Sequence, residues 1–181
     1  MRWSVVRSHH PEPFEIVMLE IHENIVTKES DLKDIGLEIL GASNYHLQTS
    51  VNHTGATTTF FMGYLPNEHE KLLWNYIQPY TNTNSYKLTY INAHPANQPG
   101  EWHTDDLEGH FTALWFPDVT DICPQPFLNY DEEGGFEIEN YGVISYVPNS
   151  LIVFPAHWQH RALNHEQIGK IRFSVAYKLG K

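Results

Sequence analysis

Short runs of β-branched and aromatic residues fill the second half of this chain. They cover residues 86–92, 111–116, 136–139, 142–147, 151–155 and 171–179, and Gly, Pro or Asn splits them from one another. Residues of this type fit a pleated, half-buried surface, and runs of this spacing predict a sandwich or barrel of antiparallel strands. The first half reads differently. Residues 68–78 predict a helix, with Leu72, Leu73, Tyr76 and Ile77 as its apolar stripe. Asn67 stands where a cap belongs, and Glu70 follows at capping-box spacing. A weaker helix is predicted over 31–40, where Gly36 interrupts the pattern. No internal repeat, low-complexity tract or linker breaks the chain. The expectation is one domain over 1–181: a supporting part over 1–84, then a β core over 85–181. The fold class is mainly β with a few helices, a jelly roll buttressed by N-terminal helices.

The last run carries a second signal. Ile171-Arg172-Phe173-Ser174-Val175-Ala176-Tyr177 alternates, so Arg172, Ser174 and Ala176 share one face and the four larger apolar residues share the other. A sheet covered on both sides would bury the apolar face and turn Arg172 and Ser174 into a cavity. A buried arginine needs an anion, because an uncompensated buried charge costs several kcal/mol, as an order of magnitude. Its planar fork matches a carboxylate, and a serine hydroxyl beside it adds a third donor. The plain alternative is an Arg–Glu pair on an exposed strand face.

Composition narrows the function classes. The 181 residues suffice for a real core. Cys123 is the single cysteine, which excludes an internal disulfide and a thiolate zinc cluster. A net charge of −11 argues against a nucleic-acid partner. No apolar run is long enough to span a bilayer, and the first residues lack the apolar block of a signal peptide. The expectation is a cytoplasmic protein with neither a membrane nor a nucleic acid as partner.

Twelve histidines are far more than one metal site uses, so position must select among them. In Glu101-Trp102-His103-Thr104-Asp105-Asp106, His103 and Asp105 would point the same way if the segment is extended. Two imidazoles and one carboxylate on one face of an iron(II) ion leave further positions open for a co-substrate and oxygen. The second imidazole has two candidates past the run at 151–155, His157 and His160. His9, His10, His69, His94, His110 and His165 lack a partner at ligand spacing and read as surface or satisfied histidines. Trp102, Trp115 and Trp158 read as core or pocket wall, and Glu132-Glu133 as a solvated turn.

His103-x-Asp105, then His160-Arg161, then Arg172-x-Ser174 resembles the Fe(II)/2-oxoglutarate-dependent oxygenases. The similarity is to the prolyl 4-hydroxylase-like branch with its bacterial and phage members. Further matching stretches are Tyr90-Ile91-Asn92, Glu133-Gly134-Gly135-Phe136 and Val153-Phe154-Pro155, so the resemblance covers about 85 to 179. It implies a double-stranded β-helix in which His103, Asp105 and His160 bind the iron. His160 fits the pattern better than His157, because Arg172 follows it by twelve residues rather than fifteen. By the same resemblance, Arg172 and Ser174 grip the far carboxylate of 2-oxoglutarate, and Tyr90 and Asn92 line its pocket. Gly134-Gly135 resembles a turn at the mouth of the site, equally readable as a plain hairpin turn. Arg172 departs from the animal collagen-type enzymes, which place a lysine there, and suits the bacterial branch.

The implied activity is a dioxygenase that hydroxylates a C–H bond with release of succinate and carbon dioxide. Its partners would be Fe(II), 2-oxoglutarate, O2, ascorbate as an optional cofactor, and a peptide (prolyl) or small-molecule substrate. A carboxylate at 105 implies hydroxylation rather than halogenation. The region 118–131, with Pro124 and Pro126, would help form the substrate mouth. Two other readings use the same residues: a cupin-like metalloenzyme without 2-oxoglutarate, and a β-sandwich binding or structural module with incidental histidines.

Overall fold

The computed structural model describes residues 19–51, 57–118 and 131–180. In chain order these form β1 (Glu20–His22), α1 (Glu29–Gly41), β2 (His46–Val51), β3 (Thr57–Gly63), α2 (Asn67–Ile77), a 3-10 turn (Gln78–Tyr80) and β4 (Leu88–Pro95). Then follow β5 (Phe111–Phe116), β6 (Asp131–Ile138), β7 (Gly142–Tyr146), β8 (Ser150–Pro155), β9 (His160–Ala162) and β10 (Ile171–Leu179). The strands make two antiparallel sheets. One has seven strands in the order β1-β8-β5-β10-β4-β3-β2, and the other has three in the order β7-β6-β9. This is the expected jelly roll.

Alternation along the central strands builds two apolar layers. Ile91 and Ala93 of β4, Trp115 of β5, Val153 of β8 and Phe173, Val175 and Tyr177 of β10 face the helices. There they meet Ile35 and Ile39 of α1 and Leu73, Trp74 and Ile77 of α2. The opposite faces of β5, β8 and β10 send Leu114, Phe116, Ile152, Phe154 and Ala176 toward the small sheet, onto Phe136, Ile138 and Tyr146. The large sheet is thus covered on both sides, as the final strand's pattern required.

Several local expectations shift. The capping box at α2 does not form: Pro66 holds the cap position and no side chain caps the helix. Glu70 is engaged elsewhere, since its carboxylate accepts a hydrogen bond from the Tyr86 hydroxyl. Gly36 does not break α1 but lies buried within it. Gly134 and Gly135 are not a turn; they lie inside β6, as do Glu132 and Glu133. A Cβ on Gly135 would stand 2.3 Å from the Ile144 carbonyl oxygen, so the close approach of β7 demands a glycine. His9, His10, Pro124 and Pro126 lie outside the described residues. Among the described residues, no helix is long and apolar enough to cross a membrane.

Candidate functional site

Between the two sheets lies a cavity of about 300 Å³. β4 and β10 supply one wall with Tyr90, Asn92, His94, Arg172, Ser174, Ala176 and Lys178, and β6 and β9 close the other with Phe136, His160 and Ala162. The register explains the wall: Asn92 pairs with Ser174 and Tyr90 with Ala176, so their side chains share one face.

At one end stand His103, Asp105 and His160, each with a ligand atom within 4.8 Å of the others. His103 does not belong to a full strand. It forms an isolated bridge to His160, in which each backbone N–H donates to the other's carbonyl at 3.0 Å. The Asp105 N–H donates to the Ala156 carbonyl at 2.8 Å. Gly100 allows the approach, since a Cβ there would meet the Ala162 nitrogen at 2.8 Å. His157, the rival candidate, is not part of the group.

Both imidazoles have a defined tautomer. His103 Nδ1 lies 2.7 Å from the Glu101 carbonyl oxygen, and His160 Nδ1 lies 2.8 Å from that of Trp158. A carbonyl only accepts, so each Nδ1 carries the hydrogen and each Nε2 keeps its lone pair. Those Nε2 atoms face Asp105, His103 at 3.6 Å from Oδ1 and His160 at 3.4 Å from Oδ2. Ligands about 2.1 Å from one ion and at right angles stand about 3 Å apart, so a small contraction completes a metal site.

The electrostatics favour such a set. Burial works against the Asp105 carboxylate, but the Lys178 ammonium beside it prevails and holds its pKa well below the usual range. His103 is half exposed, yet the ring lines the cavity, and desolvation there, with His160 adding to it, lowers its pKa. Both groups are therefore in their metal-binding forms at neutral pH.

Arg172 occupies another part of the cavity wall and is 3% exposed. Its Nη1 donates to the Gly135 carbonyl at 3.0 Å, while Nε has no hydrogen-bond partner. Burial lowers its pKa to about 10, which leaves it cationic at neutral pH. Among the described residues no carboxylate neutralises it. Ser174 is buried beside it on the same face. An orphaned guanidinium edge and a hydroxyl in one cavity form a receptor for a carboxylate.

Three side chains at this site escaped the sequence reading. Lys178 meets Asp105, and Thr112 Oγ1 donates to Asp105 Oδ2 at 2.6 Å. His94, set aside as incidental, is buried, pairs in register with Arg172 and stacks on Phe60 at 4.9 Å. The signal was available for two of them: Lys178 extends the alternation of Arg172, Ser174 and Ala176, and His94 that of Tyr90 and Asn92. Of the three tryptophans, Trp115 is core, Trp158 stacks on Tyr141 and Trp102 lies under the Arg161 guanidinium beside the site.

No family model matches the chain, and no curated protein matches its sequence. Solved structures do match its fold. An oxidoreductase of the 2OG-Fe(II) oxygenase family from Burkholderia pseudomallei aligns over 90% of this chain and 84% of its own, with a TM-score of 0.63 and 15% identity. A prolyl-4-hydroxylase from Pseudomonas putida aligns over 91% and 94%, with a TM-score of 0.58 and 12% identity. A Trichoplax adhaerens prolyl hydroxylase, in complex with a hypoxia inducible factor oxygen degradation domain peptide fragment, aligns over 89% and 83%, with a TM-score of 0.59 and 11% identity. The chain therefore has the fold of the 2-oxoglutarate/Fe(II) oxygenases, and it carries a His-Asp-His group within that fold.

Proposed function

We propose that this chain is an Fe(II)- and 2-oxoglutarate-dependent dioxygenase that hydroxylates a C–H bond of its substrate. His103, Asp105 and His160 hold the metal through their Nε2 and carboxylate oxygen atoms. Arg172 and Ser174 hold the distal carboxylate of 2-oxoglutarate, with Tyr90 and Asn92 along its side. One observation carries the reading: a buried arginine with an unpaired Nε shares a cavity with a two-histidine, one-carboxylate group. A metalloenzyme that needs no oxo-acid has no use for that cation, and a structural module has no use for either.

When bound, the metal and co-substrate supply O2 activation coupled to decarboxylation, giving succinate and carbon dioxide. The chain supplies placement. Glu101 and Trp158 carbonyls fix the imidazoles, Thr112 and Lys178 hold one Asp105 oxygen, and Arg172 sets the direction of the oxo-acid. Leu114, Phe136 and Phe154 make the wall between these polar groups apolar. Ascorbate is a further candidate cofactor. The substrate is a peptidyl residue, prolyl first, or a small molecule; the peptide in the Trichoplax neighbour makes peptides the first class to try.

The test is an anaerobic titration. Fe(II) and 2-oxoglutarate together should produce a weak visible charge-transfer band that neither produces alone. A metal that binds with no such band moves the cupin-like reading ahead, and no metal binding at all leaves a binding module.

A further inference from the structure

Asp105 has more partners than a metal ligand requires. Its Oδ2 accepts a hydrogen bond from Thr112 Oγ1 at 2.6 Å and also meets the Lys178 ammonium. Thr112 and Lys178 are register partners across β5 and β10, so both donors reach the carboxylate from adjacent positions on one sheet face. Lys178 is 11% exposed, and its ammonium lies 5.3 Å from the centre of the Tyr90 ring. Along β10 it stands six residues from Arg172, about 20 Å of strand, so the two cations serve different anions.

A hydrogen-bond donor alone does not explain a lysine here, because Thr112 already provides one. Lysine adds a charge, and burying an ammonium is costly unless an anion faces it. Asp105 is that anion, and it is also the one carboxylate of the His-Asp-His group. A cation at Oδ2 has two effects on whatever binds at Oδ1. It keeps Oδ2 occupied, so that the carboxylate offers a single oxygen. It also repels a second cation across a short, poorly solvated distance, where charges interact far more strongly than in water.

We propose that Lys178 is a resident counter-cation of the metal centre: a positioning residue that holds Asp105 in a one-oxygen presentation and weakens the site for a dication. The inference rests on the reading of His103, Asp105 and His160 as metal ligands. It gives the site two properties at once. The ammonium already stands against Asp105 before any metal arrives, and the metal that arrives is held less tightly than the three ligands alone would hold it.

A merely structural lysine would, when replaced, lower stability and metal affinity together; a counter-cation moves them in opposite directions. The experiment titrates chelator-treated full-length protein with Co(II), followed by its visible absorption, and measures the melting temperature of the same metal-free protein. Lys178→Met keeps the stem and removes the charge. It should bind Co(II) about tenfold tighter or more, equivalent to at least about 1.4 kcal/mol, while the metal-free protein melts lower. Lys178→Arg retains the charge and should bind like the parent. Thr112→Val removes a donor but no charge and should never bind tighter. Should Lys178→Met fail to fold, Lys178→Gln, uncharged but still a donor, should show the same tightening. Unchanged or weaker Co(II) binding by the uncharged variants, with binding intact in the parent and lost in His160→Ala, overturns the inference alone. A parent that takes up no Co(II) overturns the metal reading and this inference with it.

Discussion

His103 and His160 are each fixed by the carbonyl two residues before them, Glu101 and Trp158. An i−2 carbonyl is available in an extended backbone whatever the residue there, so the tautomer is set by conformation rather than by a dedicated partner side chain. Arg172 is the opposite case. Its placement uses the Gly135 carbonyl, and what remains unpaired is Nε. Under the proposed role, Arg172→Ala should leave metal binding intact and weaken 2-oxoglutarate. Losing a charge-assisted pair of this kind costs roughly 2–5 kcal/mol. At about 1.4 kcal/mol per factor of ten, affinity should fall by one to several such factors. Arg172→Lys should fall between, because an ammonium cannot copy the fork. Asp105→Ala should reverse the order and lose the metal first. The measurement is a pair of titrations on each variant, metal first and then co-substrate. Parental 2-oxoglutarate affinity in Arg172→Ala would make the arginine an ordinary strand residue.

At the scale of elements, β6 links the two ends of the site. It pairs with β9, which carries His160, and its Gly135 carbonyl accepts from Arg172 Nη1 and from the Leu163 N–H, both at 3.0 Å. The register of β6 on β7 is irregular between Asp131 and Phe136. Gly135→Ala places a methyl against the Ile144 carbonyl, at 2.3 Å before relaxation. Forced repacking of this kind costs about 1–3 kcal/mol. The variant should unfold at lower denaturant and bind 2-oxoglutarate more weakly, with metal affinity nearly unchanged; an unshifted unfolding midpoint would remove β7's approach as the reason for the glycine. A glycine pair signals a turn locally, and only the long-range contact with β7 reveals the strand. The same limit hid β1, β2 and β3. β1 has only three residues, too few for a period to show, and β2 lies at the sheet's edge. By contrast, the alternation of Ile171–Leu179 was legible because its period is local and both faces are used. Arg172 was legible for the same reason and His103 and Asp105 from their i, i+2 spacing, although an isolated bridge rather than a full strand holds that segment, while Lys178 and Thr112 needed the β5–β10 register to be seen together.

The whole molecule buries polar chemistry inside an apolar sandwich, and that arrangement makes its stability depend on pH. His94 is the clearest case. It lies on the cavity face of β4, stacked on Phe60, with Nδ1 3.4 Å from the Gln98 carbonyl oxygen. Burial first, then the Arg172 charge, with smaller contributions from His103 and His165, holds its pKa well below the ordinary imidazole value; the Gln98 carbonyl opposes them weakly. In the unfolded chain the same ring takes up a proton near pH 6.5. Below that pH the unfolded state binds a proton that the folded state refuses, so stability rises with pH there and falls on acidification. The contribution is fully present above about pH 6.5 and is lost as pH drops toward the folded-state value, at no more than about 1.4 kcal/mol per pH unit for one group. His103, lowered for a similar reason, adds a slope of the same sign. The Asp105 carboxylate, depressed instead, acts only at lower pH, below its unfolded value of about 3.9. Between pH 7 and 5, then, the metal-free protein should lose stability steadily in denaturant unfolding. His94→Gln removes one titrating group and keeps a planar polar end against Phe60, so its stability should fall less steeply over the same range. Chelator must be present throughout, because bound metal would add its own proton competition at His103 and His160. Parallel curves for the parent and His94→Gln would show that the ring is protonated as easily in the fold as outside it, and that the cavity around Arg172 is wet rather than closed.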